Sequence, residues 1–220
     1  MTDKHNLLLS EFKRFLREFV CNTDNEYTQL VDWIRTTLRS MSTGKRNDAI
    51  LVLNTEHDIR RVVYHILASV IGDPLARQDW YNDCIEPKDY NMYVPSVYVD
   101  IARERWTDHR LNLLLSIQRQ RETSIPIKYR RWQYTSPVRV NICISLGRKR
   151  DDLHMFNRDG FIICNGHPGG RILNRSNLFL KMERLANDSM YHRKDRTFER
   201  EDTPILSEVI SHWLLNTDDY

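Results

Sequence analysis

The chain has 220 residues, of which 40% are hydrophobic and 29% charged, and its formal net charge is +3. This composition excludes a disordered chain, and the length predicts a single domain over residues 1–220 with a sizeable core. The N-terminal stretch is too charged for a signal peptide and no apolar run approaches membrane length, so we expect an unanchored intracellular protein without a membrane partner. Its four cysteines form no CxxC pair and are expected to be reduced thiols.

Two amphipathic helices are predicted at the N-terminus. The first carries apolar residues at helical spacing and should end near Cys21; these residues are Leu8, Phe12, Phe15, Leu16 and Phe19. The second begins at a capping box, in which Thr23 accepts from the amide of Glu26 and Glu26 reaches back towards the start of the helix. We therefore divide the chain into an N-terminal helical arm, residues 1–45, and an α+β core, residues 46–220.

A buried strand and a well-defined helix open the predicted core. Residues 49–53, AILVL, form a short continuous apolar run that is typical of a strand buried on both faces. Asn54 or Thr55 is expected to cap the following helix, whose apolar positions from Ile59 to Val70 repeat at helical spacing. Gly72 and Pro74 should end it.

Beyond Pro95 the apolar residues alternate with a period of two. Strands are predicted over residues 97–101, 111–117, 125–134, 138–146 and 161–163, with a bulge at Arg130-Arg131 and a turn at residues 135–137. Helices follow over residues 176–187 and from Thr203 onwards. The predicted fold class is α+β, with an antiparallel β-meander or sandwich core between N-terminal and C-terminal helices.

Cations and aromatic residues alternate in the stretch IPIKYRRWQYTSPVRVNICISL, residues 125–146. The chain has 25 Arg and only 8 Lys, and this bias together with 10 Tyr and 5 Trp is typical of contact surfaces. The partner of such a surface is either the carboxylates of neighbouring protomers or the phosphates of a nucleic acid. The candidate contact or anion-binding residues are Lys128, Arg130, Arg131, Trp132 and Arg139, with Arg171 of the GHPGGR loop.

No catalytic or metal-binding signature emerges from the sequence. His154, Cys164 and His167 lack the paired spacing of structural zinc sites. Asp73 with Glu86 and Lys88 superficially resembles a metal-nuclease pattern, but Pro87 would interrupt the strand that this pattern needs. We therefore predict that the protein is not an enzyme and has no metal site.

The order of several short motifs resembles the polyhedrins of cypoviruses, which form occlusion bodies around virions. The motifs are the N-terminal amphipathic helix, AILVLNTEHDIRRVVYHILAS, and the strands PSVYV, IKYRR and ICISLG. The resemblance implies a protomer that forms homotrimers and a crystal lattice with virus particles as cargo, within inclusion bodies of the host cytoplasm. It also implies that the N-terminal helix locks neighbours together, and that a nucleotide is held in the lattice of some members.

Two functions are therefore expected from the sequence. The first is a self-assembling occlusion-body protein that protects virions and dissolves in alkali, with Tyr129 and Tyr134 as the candidate alkaline switch because their hydroxyls ionise near about pH 10. The alternative is a protein that binds single-stranded RNA through an Arg/aromatic sheet face.

Overall fold

A computed structural model describes residues 2–43, 47–71, 76–81, 84–87, 96–101, 107–119, 123–126, 133–136, 141–146, 150–166, 176–192 and 206–216. The α-helices in these ranges are α1 (Asp3–Phe15), α2 (Asp24–Thr43), α3 (His57–Ile71), α4 (Asp108–Arg119), α5 (Asn177–His192) and α6 (Leu206–Asn216). A π-helical turn (Leu16–Val20) follows α1, and a 3₁₀ helix spans Arg150–Phe156. The strands are β1 (Ile50–Asn54), β2 (Ala76–Tyr81), β3 (Cys84–Pro87), β4 (Ser96–Ile101), β5 (Thr123–Pro126), β6 (Gln133–Ser136), β7 (Asn141–Leu146) and β8 (Phe161–Asn165).

The main sheet is mostly parallel, so the predicted antiparallel meander or sandwich core is wrong. Its strand order is β3-β2-β4-β7-β1-β8. β1 pairs in parallel with both β7 and β8, β4 pairs in parallel with β7 and with β2, and only β3 runs antiparallel to its neighbour. Parallel pairing requires a crossover connection, and the sequence pattern had suggested short links instead.

The missed crossover is α4, which lies where residues 111–117 were predicted to be a strand. Leu111, Leu113, Leu115 and Ile117 alternate, but Leu114 breaks the alternation and restores a helical spacing with Leu111. Leu111 and Leu114 are both buried. The connection from β4 to β7 therefore contains α4 as well as β5 and β6, and it is long enough for β7 to enter the sheet in the same direction as β4.

Residues 125–146 do not form a single hairpin. β5 pairs antiparallel with β6 in a separate two-stranded sheet, from Thr123 opposite Ser136 to Pro126 opposite Gln133. β7 instead enters the main sheet between β1 and β4. The predicted bulge at Arg130-Arg131 lies outside the described residues. The turn predicted at residues 135–137 is wrong at its first two positions, because Thr135 and Ser136 belong to β6 and pair with Ser124 and Thr123; residue 137 lies outside the described residues.

Each face of β1 is covered, as its apolar run predicted. Leu51 and Leu53 belong to one large core cluster with side chains from α1, α2, α3, α5 and α6. Ile50 and Val52 have the opposite parity and face the other layer. On that layer Phe161, the register partner of Ile50, packs edge-to-face on Phe156 with ring centroids 5.4 Å apart. The continuous apolar run therefore indicated a central strand with helical cover on both sides.

Gly160 lets the chain pass closely beneath α4 before β8 begins. Its φ is 98°, a left-handed conformation that glycine adopts without strain. A Cβ at this position would stand 2.6 Å from Leu115 Cδ2. Its carbonyl accepts from the Ile50 amide at 2.9 Å, so this turn also sets the register between β1 and β8.

The helices predicted at the two ends of the chain and the strands predicted at residues 97–101 and 161–163 are confirmed. The N-terminal helical segment ends at Val20, and α5 and α6 lie where C-terminal helices were expected. The buried residues of α6 are Leu206, Val209, Ile210, Trp213 and Leu214. In the described part of the chain no helix is long and apolar enough to cross a membrane.

Candidate functional site

The carboxyl ends of β1 and β8 meet the start of α2 in a polar cluster, which we call the strand-end cluster: Glu26, Asn54 and Asn165. Asn54 and Asn165 are register partners at the last position of each strand. The Asn54 Nδ2 donates to Asn165 Oδ1 at 3.0 Å, and Asn165 Nδ2 donates to Glu26 Oε1 at 3.1 Å. Ligands of parallel sheets commonly bind beyond such strand ends, so the cluster is a candidate binding site if its polar groups are available to a ligand.

Glu26 is the central acceptor of the strand-end cluster. Its Oε2 accepts from the backbone amide of Asn22 at 2.7 Å and from that of Asn165 at 3.0 Å. Its own amide donates to Thr23 Oγ1 at 3.1 Å. The Thr23 half of the predicted capping box is therefore confirmed, and Glu26 does reach back, but to the amide of Asn22, one residue before the cap. The same carboxylate also fastens α2 to β8.

Gly166 closes the cluster on the side of the chain that leaves β8. Its amide donates to the Asn54 carbonyl at 3.0 Å. A Cβ at Gly166 would lie 2.8 Å from both the Phe19 carbonyl oxygen and Thr55 Cγ2. The backbone passes here at a distance that only glycine allows, which explains the first residue of the GHPGGR segment; its remaining residues lie outside the described part.

The chemistry of the strand-end cluster is structural. Both Glu26 oxygens are occupied by donors of the chain, so this carboxylate is committed to holding α2 and β8 together. Among the described residues no group of three or more His, Cys, Asp or Glu side chains could hold a metal ion. Asn54, expected to cap α3, binds Asn165 instead. The sequence indicates this cluster only by an Asn at the end of each of the two apolar runs. The two Asn residues become neighbours because the strands are parallel.

A second polar network lies at the opposite end of β1. The Asn47 Nδ2 donates to Thr37 Oγ1 at 2.8 Å and to the Trp33 carbonyl at 3.1 Å, and Gln118 Nε2 donates to the Asn47 carbonyl at 2.7 Å. Thr37, Asn47 and Gln118 are all buried. These bonds tie α2 and α4 to the segment that enters β1, and they too have a structural role.

The residues of the predicted assembly arm lie in the interior of the chain. Leu8 is 6% exposed and Phe12, Phe15, Leu16 and Phe19 are 2% exposed or less. The Phe19 ring packs against Phe15 and Phe179, with centroids 5.3 and 5.8 Å away. Lys13 lies 4.4 Å above the Trp213 ring, which joins α1 to α6. The apolar face of α1 is thus used within the same chain.

The residues of the predicted contact surface fall into two groups, those in or next to the segment that joins β5 to β6 and those elsewhere in the chain. Five of the six residues that join Pro126 to Gln133 belong to this predicted surface, and all six lie outside the described residues. The five are Lys128, Tyr129, Arg130, Arg131 and Trp132. Tyr134 belongs to β6 and pairs with Ile125. Arg139 and Arg171 also lie outside the described residues.

Tyr27 has a shifted pKa, and the sequence did not single this residue out. Burial raises the pKa of the Tyr27 hydroxyl above its ordinary value, against the opposing influence of the Arg17 guanidinium. That guanidinium lies 3.8 Å from the centroid of the Tyr27 ring. Tyr27 is 9% exposed and belongs to the core cluster next to the start of α2.

Comparisons with known proteins indicate a fold and no family. No protein-family model and no curated protein matches the chain. The apo structure of the NrS-1 C terminal region (305–718) matches 96% of this chain with a TM-score of 0.53 and 11% sequence identity. The A form apo structure of the same region has a TM-score of 0.46 and 13% identity. The chain spans about half of the first structure, 51% of its length, and shares its fold alone.

Proposed function

We propose that the chain binds single-stranded nucleic acid through the β5–β6 hairpin, residues 123–136. The observation that carries this proposal is the pairing of Pro126 with Gln133 at the inner end of the two strands. This pairing gathers the basic and aromatic residues 127–132, IKYRRW, into the connection of one short hairpin. Aromatic side chains on which bases stack, beside cations that neutralise phosphates, are the usual components of single-strand binding surfaces.

The charge of the hairpin favours an anionic partner. Residues 123–136 contain three cations and no Asp or Glu, so their formal charge of +3 equals that of the whole chain. Arginines elsewhere pair with carboxylates: Arg14 with Glu18 at 3.5 Å and Arg61 with Glu183 at 2.6 Å. The hairpin segment has no carboxylate of its own, which supports phosphates over intramolecular ion pairs.

The position of the hairpin supports the same proposal. It forms its own two-stranded sheet outside the six-stranded sheet, in the chain between α4 and β7. β5 lies beside α4 and β3, so the hairpin is attached to the rest of the described chain through β5. The surface expected from the sequence was a broad sheet face; the proposed surface is a short hairpin.

Self-assembly into occlusion bodies stays a prediction. It rests on the resemblance to polyhedrins and on the Arg-, Tyr- and Trp-rich composition. Since the apolar face of α1 is buried within the chain, that face is not offered to a neighbour in this conformation. The predicted trimer, lattice, cargo, bound nucleotide and alkaline switch at Tyr129 and Tyr134 remain predictions as well.

The proposal is tested by fluorescence anisotropy with a labelled 20-nucleotide oligouridylate between 50 and 200 mM NaCl. The variant Arg130→Gln/Arg131→Gln is compared with a matched control, Arg14→Gln/Arg61→Gln, which removes the same charge from two exposed arginines. We expect the hairpin variant to lower the steepness of log K against log [salt] by about 1.4, because each phosphate contact on a single strand contributes about 0.7. The control should keep the steepness of the wild type.

Stacking is tested separately with Trp132→Ala. Loss of a stacked base costs about 1–3 kcal/mol, so we expect an affinity about 5- to 150-fold weaker with an unchanged salt dependence. The proposal is wrong if the wild type does not bind the oligonucleotide at 50 mM NaCl. It is also wrong if the hairpin variant and the control lose affinity equally, since that result would show a diffuse effect of net charge.

A further inference from the structure

β8 forms one edge of the main sheet, and alternate residues of this strand face away from β1. The Gly160 carbonyl and the Gly166 amide bond to β1, so residues of even number in β8 direct their backbone groups towards that strand. Phe161, Ile163 and Asn165 therefore direct theirs outwards. No strand of the described chain pairs with β8 on this outer side.

Glu26 covers one end of this edge. The outward amide of Asn165 donates to Glu26 Oε2 at 3.0 Å, so this position is already bonded within the chain. Phe161 and Ile163 are left as the open part of the edge, and both side chains are partly exposed. The open segment is thus short and has a fixed end.

The open segment lacks the side chains that commonly protect edge strands. β8 reads FIICN and contains no charged residue and no proline. Monomeric sheets usually protect an edge with Lys, Pro, a bulge or an inward charge. In the described part of the chain no strand bonds to the outward backbone groups of Phe161 and Ile163. An apolar edge of this kind is a template for another extended segment.

We propose that this edge binds a second copy of the chain, with β8 antiparallel to β8 about a two-fold axis near Ile162. In this register Phe161 lies opposite the partner's Ile163, and each such pair exchanges both backbone hydrogen bonds. A register that placed Asn165 opposite an outward residue of the partner would require an amide that Glu26 already holds. The result is one continuous sheet through both copies.

A second copy suits this edge better than a different peptide because the open segment complements itself. In two-fold pairing β8 lies against β8 of the other copy, so any charged residue of this strand would lie close to the same charge on the partner and be repelled. β8 has no charges, so this cost is absent. The contact is short, so we expect a weak dimer whose population depends on protein concentration.

Sedimentation equilibrium of the full chain over about 1–200 μM tests the proposal. The mass should rise from the 26.4 kDa of one chain towards twice that value. Ile163→Pro removes an outward amide without removing a bond to β1, and Ile163→Lys places a charge on the edge. Both variants should weaken the dimer at least about tenfold, whereas the matched control Ile163→Val should not.

Residue-resolved hydrogen exchange on the wild type decides the matter even if those variants fail to fold. The amides of Phe161 and Ile163 should exchange more slowly as protein concentration rises. The Asn165 amide, held by Glu26 within the chain, should show no concentration dependence. A constant 26.4 kDa mass, unchanged exchange at Phe161 and Ile163, or a dimer that persists in folded Ile163→Pro and Ile163→Lys would overturn the proposal.

Discussion

Replacing Glu26 by Ala tests whether the strand-end cluster holds the helical layer to the sheet. The substitution removes the acceptor of three hydrogen bonds, from the Asn22 amide, the Asn165 amide and the Asn165 side chain, at 2.7, 3.0 and 3.1 Å. The substitution leaves the hydrogen bond from the residue-26 amide to Thr23 in place, but it removes the bond between the Asn22 amide and the Glu26 carboxylate at the start of α2.

The expected loss follows from these contacts. A hydrogen bond to a charged acceptor contributes about 1.5–3 kcal/mol when buried, and less at a half-buried site where water can replace the carboxylate. Counting the two Asn165 bonds at about 1–1.5 kcal/mol each and the cap at about 0.5 kcal/mol gives a loss of about 3 kcal/mol. Glu26→Gln keeps the shape, but it removes the charge and replaces one acceptor oxygen by an NH2 group that faces a donor. We therefore expect a loss of about 2 kcal/mol, smaller than that of Glu26→Ala.

Urea unfolding followed by tryptophan fluorescence and circular dichroism measures these losses, with Glu18→Ala as the control. Glu18 forms an exposed pair with Arg14 at 3.5 Å, and its removal should cost no more than about 0.5 kcal/mol. If Glu26→Ala costs as little as Glu18→Ala, the cluster does not fasten α2 to β8 and the reasoning fails.

Two further predictions concern the core around α1 and α2. Phe19→Ala should lower the free energy of unfolding by about 3–5 kcal/mol in the same urea assay, because the Phe19 ring is fully buried between Phe15 and Phe179. The control Leu7→Ala, at an exposed position, should change the free energy of unfolding by less than about 0.5 kcal/mol. Equal effects of the two substitutions would contradict the packing. Since burial raises the Tyr27 pKa, the stability linked to this hydroxyl is fully present below about pH 10, where the unfolded chain ionises, and is lost as pH rises towards the folded pKa. Tyr27→Phe should therefore lose less stability than the wild type between about pH 9 and 11.5, and parallel stability curves would contradict the shift.

Local elements of this protein could be read from the sequence because short-range spacing decides them. The capping box at Thr23 and Glu26, the apolar run of β1 and the helical repeat from Ile59 to Val70 each lie within a few turns of chain. Their outcome depends on backbone hydrogen bonding and on which side of an element is apolar, and both are written in neighbouring residues.

Strand direction could not be read in the same way. The alternation over residues 111–117 fitted a strand, and the buried pair Leu111 and Leu114 shows that a helix satisfied the same residues against the sheet. With a helix at residues 111–117, β4 and β7 are joined by a long crossover connection, and the two strands are parallel. For short apolar runs the periods of helix and strand overlap, and tertiary packing makes the choice.

The sequence by itself determined the N-terminal and C-terminal helices, the buried first strand and the basic, aromatic chemistry of residues 127–132. The tertiary structure alone decided which strands are neighbours, and with them the strand-end cluster and the open edge at β8. Glu26 and Asn165 are 139 positions apart and meet only because β8 crosses to the far side of β1. Such pairings depend on the free energy of burying both faces of a sheet, which is a property of the whole chain and not of any local segment.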